Sequence, residues 1–342
     1  MTTPEVPPGI AEREEAAEQP DPQVETPRRR RRKSGLVRRE SRLGVALMIP
    51  TVLVIVLLVI LPLLWNIALA FQPARLINIQ EVSLIGFDAT LRNFEIVLSD
   101  NDFWPVLRTT FVYTIGGTVL SILMGLWAAL ALQKAFRGRS IVRGIVLFPY
   151  VVPVVAAAFV WQVMLNPRFG VINVWIERLG GNPIDFLGTR SYDISVFGLF
   201  TLTIPLALVT VIVFEAWRYF PFAFLFILAA LQSQSKEIDE AAMVDGATIS
   251  QRFVYVTLPG LWPVLSVLFL LRFIWTFNKF DDVYLLTGGG AGTEVITVKI
   301  IDWLTGRGNV GAAAALGIIL ALILSVVVFI YYKFFYVDEE TA

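Results

Sequence analysis

The chain has 342 residues, of which 56% are hydrophobic and 16% charged, with a mean hydropathy of +0.69; such values exclude an ordinary soluble globular domain. Basic and acidic residues balance at 28 each, so net charge argues for no nucleic-acid partner. The absence of Cys and His removes disulfides, thiolate nucleophiles, zinc–thiolate sites and the commonest general base and metal ligand, and no catalytic, metal or cofactor site is expected.

In chain order, residues 1–27 are rich in Pro and Glu and poor in large apolar groups, a composition that predicts disorder. The basic run that follows, Arg28 to Lys33 with Arg38, Arg39 and Arg42, suits a topology anchor better than nucleic-acid or anionic-lipid binding. A bilayer span needs about 20 mostly apolar residues. Six segments qualify: 44–71, 107–132, 141–165, 206–230, 261–280 and 310–335. The first is too long and too far along the chain for a cleavable signal peptide. The near-continuous apolar run over 195–232 is read as one span starting near Leu206, preceded by an interfacial stretch around Phe197 to Pro205. The sequence therefore predicts an all-α membrane protein with six transmembrane helices. Its parts are a disordered tail with a basic anchor at 1–42, a membrane domain at 43–336, and a short tail at 337–342.

Lys and Arg set the orientation. With both termini inside, the cytoplasmic segments 28–42, 133–143, 231–259 and 331–342 carry 16 basic residues. The outer segments, with Arg108 and Lys279 counted at their edges, carry nine. That bias predicts cytoplasmic termini in a cell membrane.

The loops differ in kind. Residues 133–143 read as a plain basic turn, whereas 231–259 predict two short helices. Ser235 is a candidate N-cap, Glu237, Asp239 and Glu240 place acid at the helix start, and Gly246 offers a left-handed stop. Asp281 and Asp282 read as capping or turn residues. Gly288 to Gly292 has no Lys where a phosphate-binding loop requires one, so this chain offers no such ATP site. In the last span Ala313 and Gly317 stand four apart among small residues and predict close helix packing.

Charges within spans cost at least about 2.5–3.5 kcal/mol each, so they should face protein or a watery cavity. Glu215 and Arg218 share a helix face in the fourth span and are placed to pair with each other, while Arg272 and Lys279 share a side of the fifth. Trp217, Tyr219, Phe220, Phe222, Trp275 and Phe277 flank them. Charged groups beside aromatic faces suit a polyhydroxylated ligand; a structural ion-pair network fits the same residues.

Residues 240–246, Glu-Ala-Ala-Met-Val-Asp-Gly, with Leu258-Pro259 downstream, closely resemble the EAA loop of ABC importer permeases. Three further stretches, Phe148-Pro149-Tyr150-Val151-Val152-Pro153, Trp217-Arg218-Tyr219-Phe220-Pro221-Phe222 and Phe280 to Gly290, extend the resemblance to carbohydrate-uptake permeases of the maltose and trehalose type. The match is to the first of their two permease subunits and covers about residues 43–336. This resemblance implies a cytoplasmic EAA coupling helix contacting the ATPase through Glu240, Ala241, Ala242, Asp245 and Gly246. It also implies four kinds of partner besides membrane lipid: a second permease, a cytoplasmic ABC ATPase, an extracytoplasmic solute-binding protein and a carbohydrate substrate. Counted without gaps from Gly246, the family's sugar-contact positions fall on Glu215, Arg218, Tyr219, Phe222, Arg272, Thr276 and Lys279; the third-span pattern adds Tyr150 and Val154. Several of these depart from the Asn, Ser and Gly of the maltose-transporting members, which supports the pocket's place and not maltose as its occupant. The Ile-Pro that commonly precedes the EAA helix is here Gln234-Ser235. Two other readings stay open: an importer of an anionic solute such as glycerol phosphate, with Arg218, Arg272 and Lys279 as counter-charges, and a secondary transporter without an ATPase.

Overall fold

The computed structural model describes residues 47–196 and 200–335, so the tails expected at 1–42 and 337–342 lie outside the described residues. The chain divides into two compact units, 1–61 and 62–342. In the first, the described residues are the start of helix α1 (Leu47–Ala70), where residues 47–55 and 57–61 are all exposed, Leu47 by 78%. Such a helix, lacking a polar stripe, suits hydrocarbon surroundings.

The second unit continues with α2 (Arg92–Leu98), α3 (Phe103–Leu132), α4 (Arg139–Val151), α5 (Val154–Met164) and α6 (Val171–Arg178). A hairpin of β1 (Tyr192–Val196) and β2 (Phe200–Ile204) precedes α7 (Leu206–Ser233) and α8 (Lys236–Val244). Then come α9 (Ile249–Phe277), α10 (Asp281–Thr287), α11 (Ile296–Ile301) and α12 (Val310–Phe335). Among the described residues five helices are long and apolar enough to cross a membrane, and the bent α4–α5 pair makes a sixth only when its two halves are counted as one span. The chain is a multi-pass helical membrane protein.

The most extensive helix contact is α3 against α7, and small residues permit it. Gly117, Ser121 and Gly125 recur every fourth position on the buried face of α3. A Cβ at Gly117 would lie 2.8 Å from Glu215 Cγ, and one at Gly125 would lie 2.7 Å from Ala223 Cβ and 2.8 Å from the Phe224 amide nitrogen. Close backbone approach of this kind drives association in lipid, where burying apolar surface between helices gains little. In the last span the expected small-residue packing is present at Ala312, Ala313, Ala314 and Ala315, all buried, but does not extend to Gly317. A Cβ at Gly317 would meet open space, whereas one at Gly311 would lie 2.5 Å from Asn93 Nδ2 and 2.7 Å from the Gln72 carbonyl. Asn93 Nδ2 in turn donates to the Ala70 and Gln72 carbonyls at 2.9 and 2.7 Å, tying α2 to the end of α1.

Four expectations need correction. The third span, expected as one helix over 141–165, breaks after Val151, and α4 and α5 meet at 96°. Pro153 lacks an amide hydrogen and disfavours a helical residue before it; Val152 is accordingly extended at φ −65°, ψ 133°. Second, the interfacial stretch before Leu206 is a β-hairpin, so the fold is helical with one two-stranded exception among the described residues. Its strands alternate, as in Phe200-Thr201-Leu202-Thr203-Ile204, and Thr203 Oγ1 donates to Asp193 Oδ1 across the register at 2.5 Å. Third, the fifth span starts at Ile249, twelve residues before expected, so the second short helix of the 231–259 loop is the start of α9 itself. Thr248 and Gln251 form a capping box there, with Gln251 N donating to Thr248 Oγ1 at 3.3 Å and Thr248 N to Gln251 Oε1 at 2.8 Å. Fourth, Ser235 is the N-cap of α8 in an extended conformation but makes no side-chain capping bond. Gln234 Nε2 instead donates to the Thr257 carbonyl at 3.1 Å, the last residue of a π turn (Phe253–Thr257) within α9.

Candidate functional site

On α7, Glu215, Arg218, Tyr219 and Phe222 follow at intervals of three, one and three, which places them on one stripe. Proximity along the helix does not make Glu215 and Arg218 partners. Glu215 Oε1 accepts from Arg272 Nη2 at 2.7 Å and from Thr276 Oγ1 at 2.9 Å, both on α9. Arg218 Nη1 lies 3.3 Å from Asp282 Oδ1 at the start of α10. Each charge is buried against a different neighbouring element, and a buried charge takes whichever partner shares its low-dielectric surroundings. Glu215 and Asp282 are fully buried and Arg272 is 1% exposed. Asp282 is therefore a counter-ion as well as a residue of the first turn of α10, a correction to its expected turn role.

Tyr219 joins the cations. The guanidinium carbons of Arg272 and Arg218 lie 4.4 and 5.3 Å from its ring centre, and Lys279 Nζ lies 4.6 Å away. Lys279 also donates to the Tyr219 hydroxyl and pairs with Asp281 at 3.3 Å. Three cations, Arg218, Arg272 and Lys279, thus meet three carboxylates, Glu215, Asp281 and Asp282, around one phenol. Among the described residues Oε2 of Glu215 and Oδ2 of Asp282 have no hydrogen-bond partner, although Lys279 Nζ lies 4.0 Å from the latter.

Beside this ionic group stands an aromatic layer. Tyr150, one residue before the end of α4, meets Tyr219 edge-on at 6.0 Å and stacks on Phe222 at 6.2 Å. Trp275 meets Phe222 at 5.1 Å. Tyr150 and Trp275 are exposed, while Tyr219, Phe222 and Lys279 are half-buried. The structure connects eight of the nine expected pathway residues, and sorts them into buried ionic members and an accessible aromatic rim. Val154, half-buried, stands just past the break at the start of α5.

Some participants were not foreseen. Ser121 Oγ accepts from Arg272 Nε at 3.4 Å, and Gly117 makes room for Glu215. The signal available for both was the small residue every fourth position of the second span. For Asp282 it was an acidic doublet directly after Lys279.

The 236–252 loop is a separate structure. Helix α8 ends in a Schellman motif: the Ala247 amide donates to the Ala242 carbonyl at 3.0 Å and the Gly246 amide to the Met243 carbonyl at 3.1 Å. Gly246 is left-handed at φ +79°, as expected, with open space around its missing Cβ. Arg252 Nε pairs with Asp239 Oδ1 at 3.0 Å, closing the loop onto the start of α9. Ile238, Met243, Val244 and Ile249 are exposed on this otherwise polar knob.

Outside the spans, Lys299 Nζ lies within 3.8 Å of Asp100, Asp102 and Glu294, and Arg307 bridges Asp100 and Asp302. Burial pushes the Asp100 carboxyl up, but the Asp102 amide and the charges of Lys299 and Arg307 outweigh it and hold the group below its ordinary range.

A helical membrane core with an internal ionic cluster and a structured polar loop defines a membrane-embedded transport subunit. Residues 117–336 match the family described as "Binding-protein-dependent transport system inner membrane component", and the chain belongs to that family. It is 32% identical over 301 residues to the trehalose/maltose transport system permease protein MalF of Thermococcus litoralis, covering 88% of this chain and 96% of that protein. To the diacetylchitobiose uptake system permease protein DasB of Streptomyces coelicolor it is 33% identical, covering 81% and 82%. Among solved structures, a chain of a bacterial ABC transporter that imports the acidic polysaccharide alginate shares the fold. Its TM-score is 0.71 at 22% identity, over 86% of this chain and 95% of that one.

Proposed function

We propose that the chain is a permease subunit of an ATP-driven carbohydrate importer. It forms the solute path with a second permease, receives solute from an extracytoplasmic binding protein, and is driven by a cytoplasmic ABC ATPase. The membrane domain, residues 43–336, carries the path, with residues 1–42 and 337–342 as cytoplasmic tails. The excess of Lys and Arg in 28–42, 133–143, 231–259 and 331–342 over the outer segments, 16 against nine, supports that orientation. ATP hydrolysis belongs to the partner, since this chain has no phosphate-binding loop.

One observation carries the substrate reading: the exposed rings of Tyr150 and Trp275 and the half-buried rings of Tyr219 and Phe222 stand beside an ion cluster neutralised from within. Aromatic faces suit the C–H faces of sugar rings. An anionic solute would need a cation free to bind it, yet Arg218, Arg272 and Lys279 each have a carboxylate within 3.3 Å. A neutral carbohydrate is favoured over a phosphoester on that ground, and the names of the two relatives agree. Of the nine pathway residues, Tyr150, Tyr219 and Phe222 touch solute, Lys279 and Val154 flank it, and Glu215, Arg218, Arg272 and Thr276 hold the wall in shape.

The EAA loop couples. Glu240, Ala241, Ala242, Asp245 and Gly246 form a knob with four exposed apolar side chains, a patch suited to a groove on the ATPase. Uptake of labelled disaccharides by cells expressing the whole transporter, with glycerol phosphate and unlabelled sugars as competitors, tests the reading. Competition by a neutral di- or oligosaccharide alone supports it; competition by glycerol phosphate alone, or uptake surviving ATP depletion, contradicts it.

A further inference from the structure

A cavity of about 640 Å³ opens beside the first turns of α3, lined in part by Trp104, Arg108 and Thr109 from α3, Arg190 and Ser191 before β1, and Leu208 of α7. Its two arginines are exposed, and neither has a hydrogen bond, carboxylate or ring partner among the described residues. That sets them apart from Arg218, Arg272, Lys279, Lys299 and Arg307, each of which has a carboxylate within 3.3 Å.

Their depth is readable from α3 itself. Below Arg108 the exposed face of this helix is apolar, through Val112, Ile115 and Leu123 to Trp127, with Trp104 and Trp127 exposed by 65% and 74%. These two Trp residues are separated by roughly 35 Å along the helix, close to one hydrocarbon thickness plus its borders. Trp residues concentrate at both membrane–water borders, so Trp104 and Trp127 mark them here. Arg108 lies one turn inward from Trp104, about 6 Å, and its long side chain can rise to the headgroup layer. The cavity is polar at that level, with Arg108, Arg190, Thr109 and Ser191, and apolar below, with Val112 and Leu208.

We infer that this cavity binds one anionic phospholipid, its phosphate between Arg108 and Arg190 and its acyl chains along the apolar face of α3. Two unpaired cations at headgroup depth above an apolar wall match the two ends of such a lipid in charge and polarity. A free anion would use the arginines but gain nothing from the wall beneath them.

The test is native mass spectrometry of the assembled transporter, titrated with phosphatidylglycerol or phosphatidylcholine. The wild type is expected to retain phosphatidylglycerol preferentially. Arg108→Gln with Arg190→Gln should weaken that retention by roughly fivefold per arginine removed, and Arg108→Lys with Arg190→Lys should restore most of it. Should the Gln variant fail to assemble, the wild-type preference between the two lipids still decides. Equal retention of both lipids by the wild type overturns the inference, as does retention that survives the Gln substitutions. Displacement of phosphatidylglycerol by millimolar inorganic phosphate would make the site one for free anions. Cross-linking of Arg108→Cys to the second permease in place of lipid would make this face a subunit interface; either result also overturns it.

Discussion

Glu215→Gln separates a wall residue from a solute contact. In the wild type Glu215 is fully buried, and its Oε1 holds Arg272 Nη2 at 2.7 Å and Thr276 Oγ1 at 2.9 Å. Gln keeps the shape and an acceptor oxygen but removes the charge, leaving Arg272, itself 1% exposed, without its carboxylate. Breaking a buried pair from one side costs about 3–5 kcal/mol, against about 5–15 kcal/mol for a whole domain. The yield and thermal midpoint of the assembled complex should therefore fall, while uptake per surviving complex stays near wild type. Replacing both partners, as Glu215→Leu with Arg272→Met, should recover much of the lost stability, because neither charge is then stranded. Tyr150→Ala should behave oppositely, with normal assembly and impaired uptake. The assays are fluorescence-detected size exclusion and thermal shift for assembly, run beside labelled-sugar uptake normalised to complex. Normal stability with abolished uptake in Glu215→Gln would refute the wall assignment and put this carboxylate on the solute.

Gly246→Asp forces a side chain into the left-handed conformation that closes the Schellman motif, so ATPase association and uptake should fall while membrane insertion persists; wild-type uptake by this variant would sink the coupling role of the turn. Gly125→Leu drives a side chain into Ala223 and the Phe224 backbone, an overpacking worth about 1–3 kcal/mol or more, and should lower the yield of folded chain in membranes; unchanged yield would show that α3 and α7 can separate. Because Asp100 is held below its ordinary range, its contribution to stability is fully present above its unfolded pKa, about 3.9, and is lost as pH falls through the lower folded value. Asp100→Asn should thus lower the thermal midpoint at pH 7, and the gap to wild type should close below about pH 4. A gap that does not vary with pH would refute that account.

Span positions were legible because about 20 apolar residues in a row have few alternatives: α7 starts at Leu206 and α12 runs from Val310 to Phe335, as the sequence suggests. The turn at Gly246 was legible because a left-handed residue has a local chemical signature. What escaped was set by distant partners or by competing local signals. Glu215 and Arg218 looked like a pair because their spacing along the helix is visible, whereas Arg272 and Asp282 lie 57 and 64 positions away. The break at Val152 was hidden by apolar residues on both sides of it, although Pro149 and Pro153 stood in plain view. The β-hairpin was masked in the same way, its alternating Thr residues diluted by the apolar run into α7.

The central claim is that this permease is driven through residues 240–246. The chain has no Cys, so Met243→Cys, at an exposed position of that knob, gives a single reporter thiol. Bifunctional cross-linking in membranes containing the whole transporter should join this thiol to the ATPase subunit, with a yield that changes between nucleotide-free and ATP-bound states. An actively transporting complex that forms no such cross-link in either state would contradict the account.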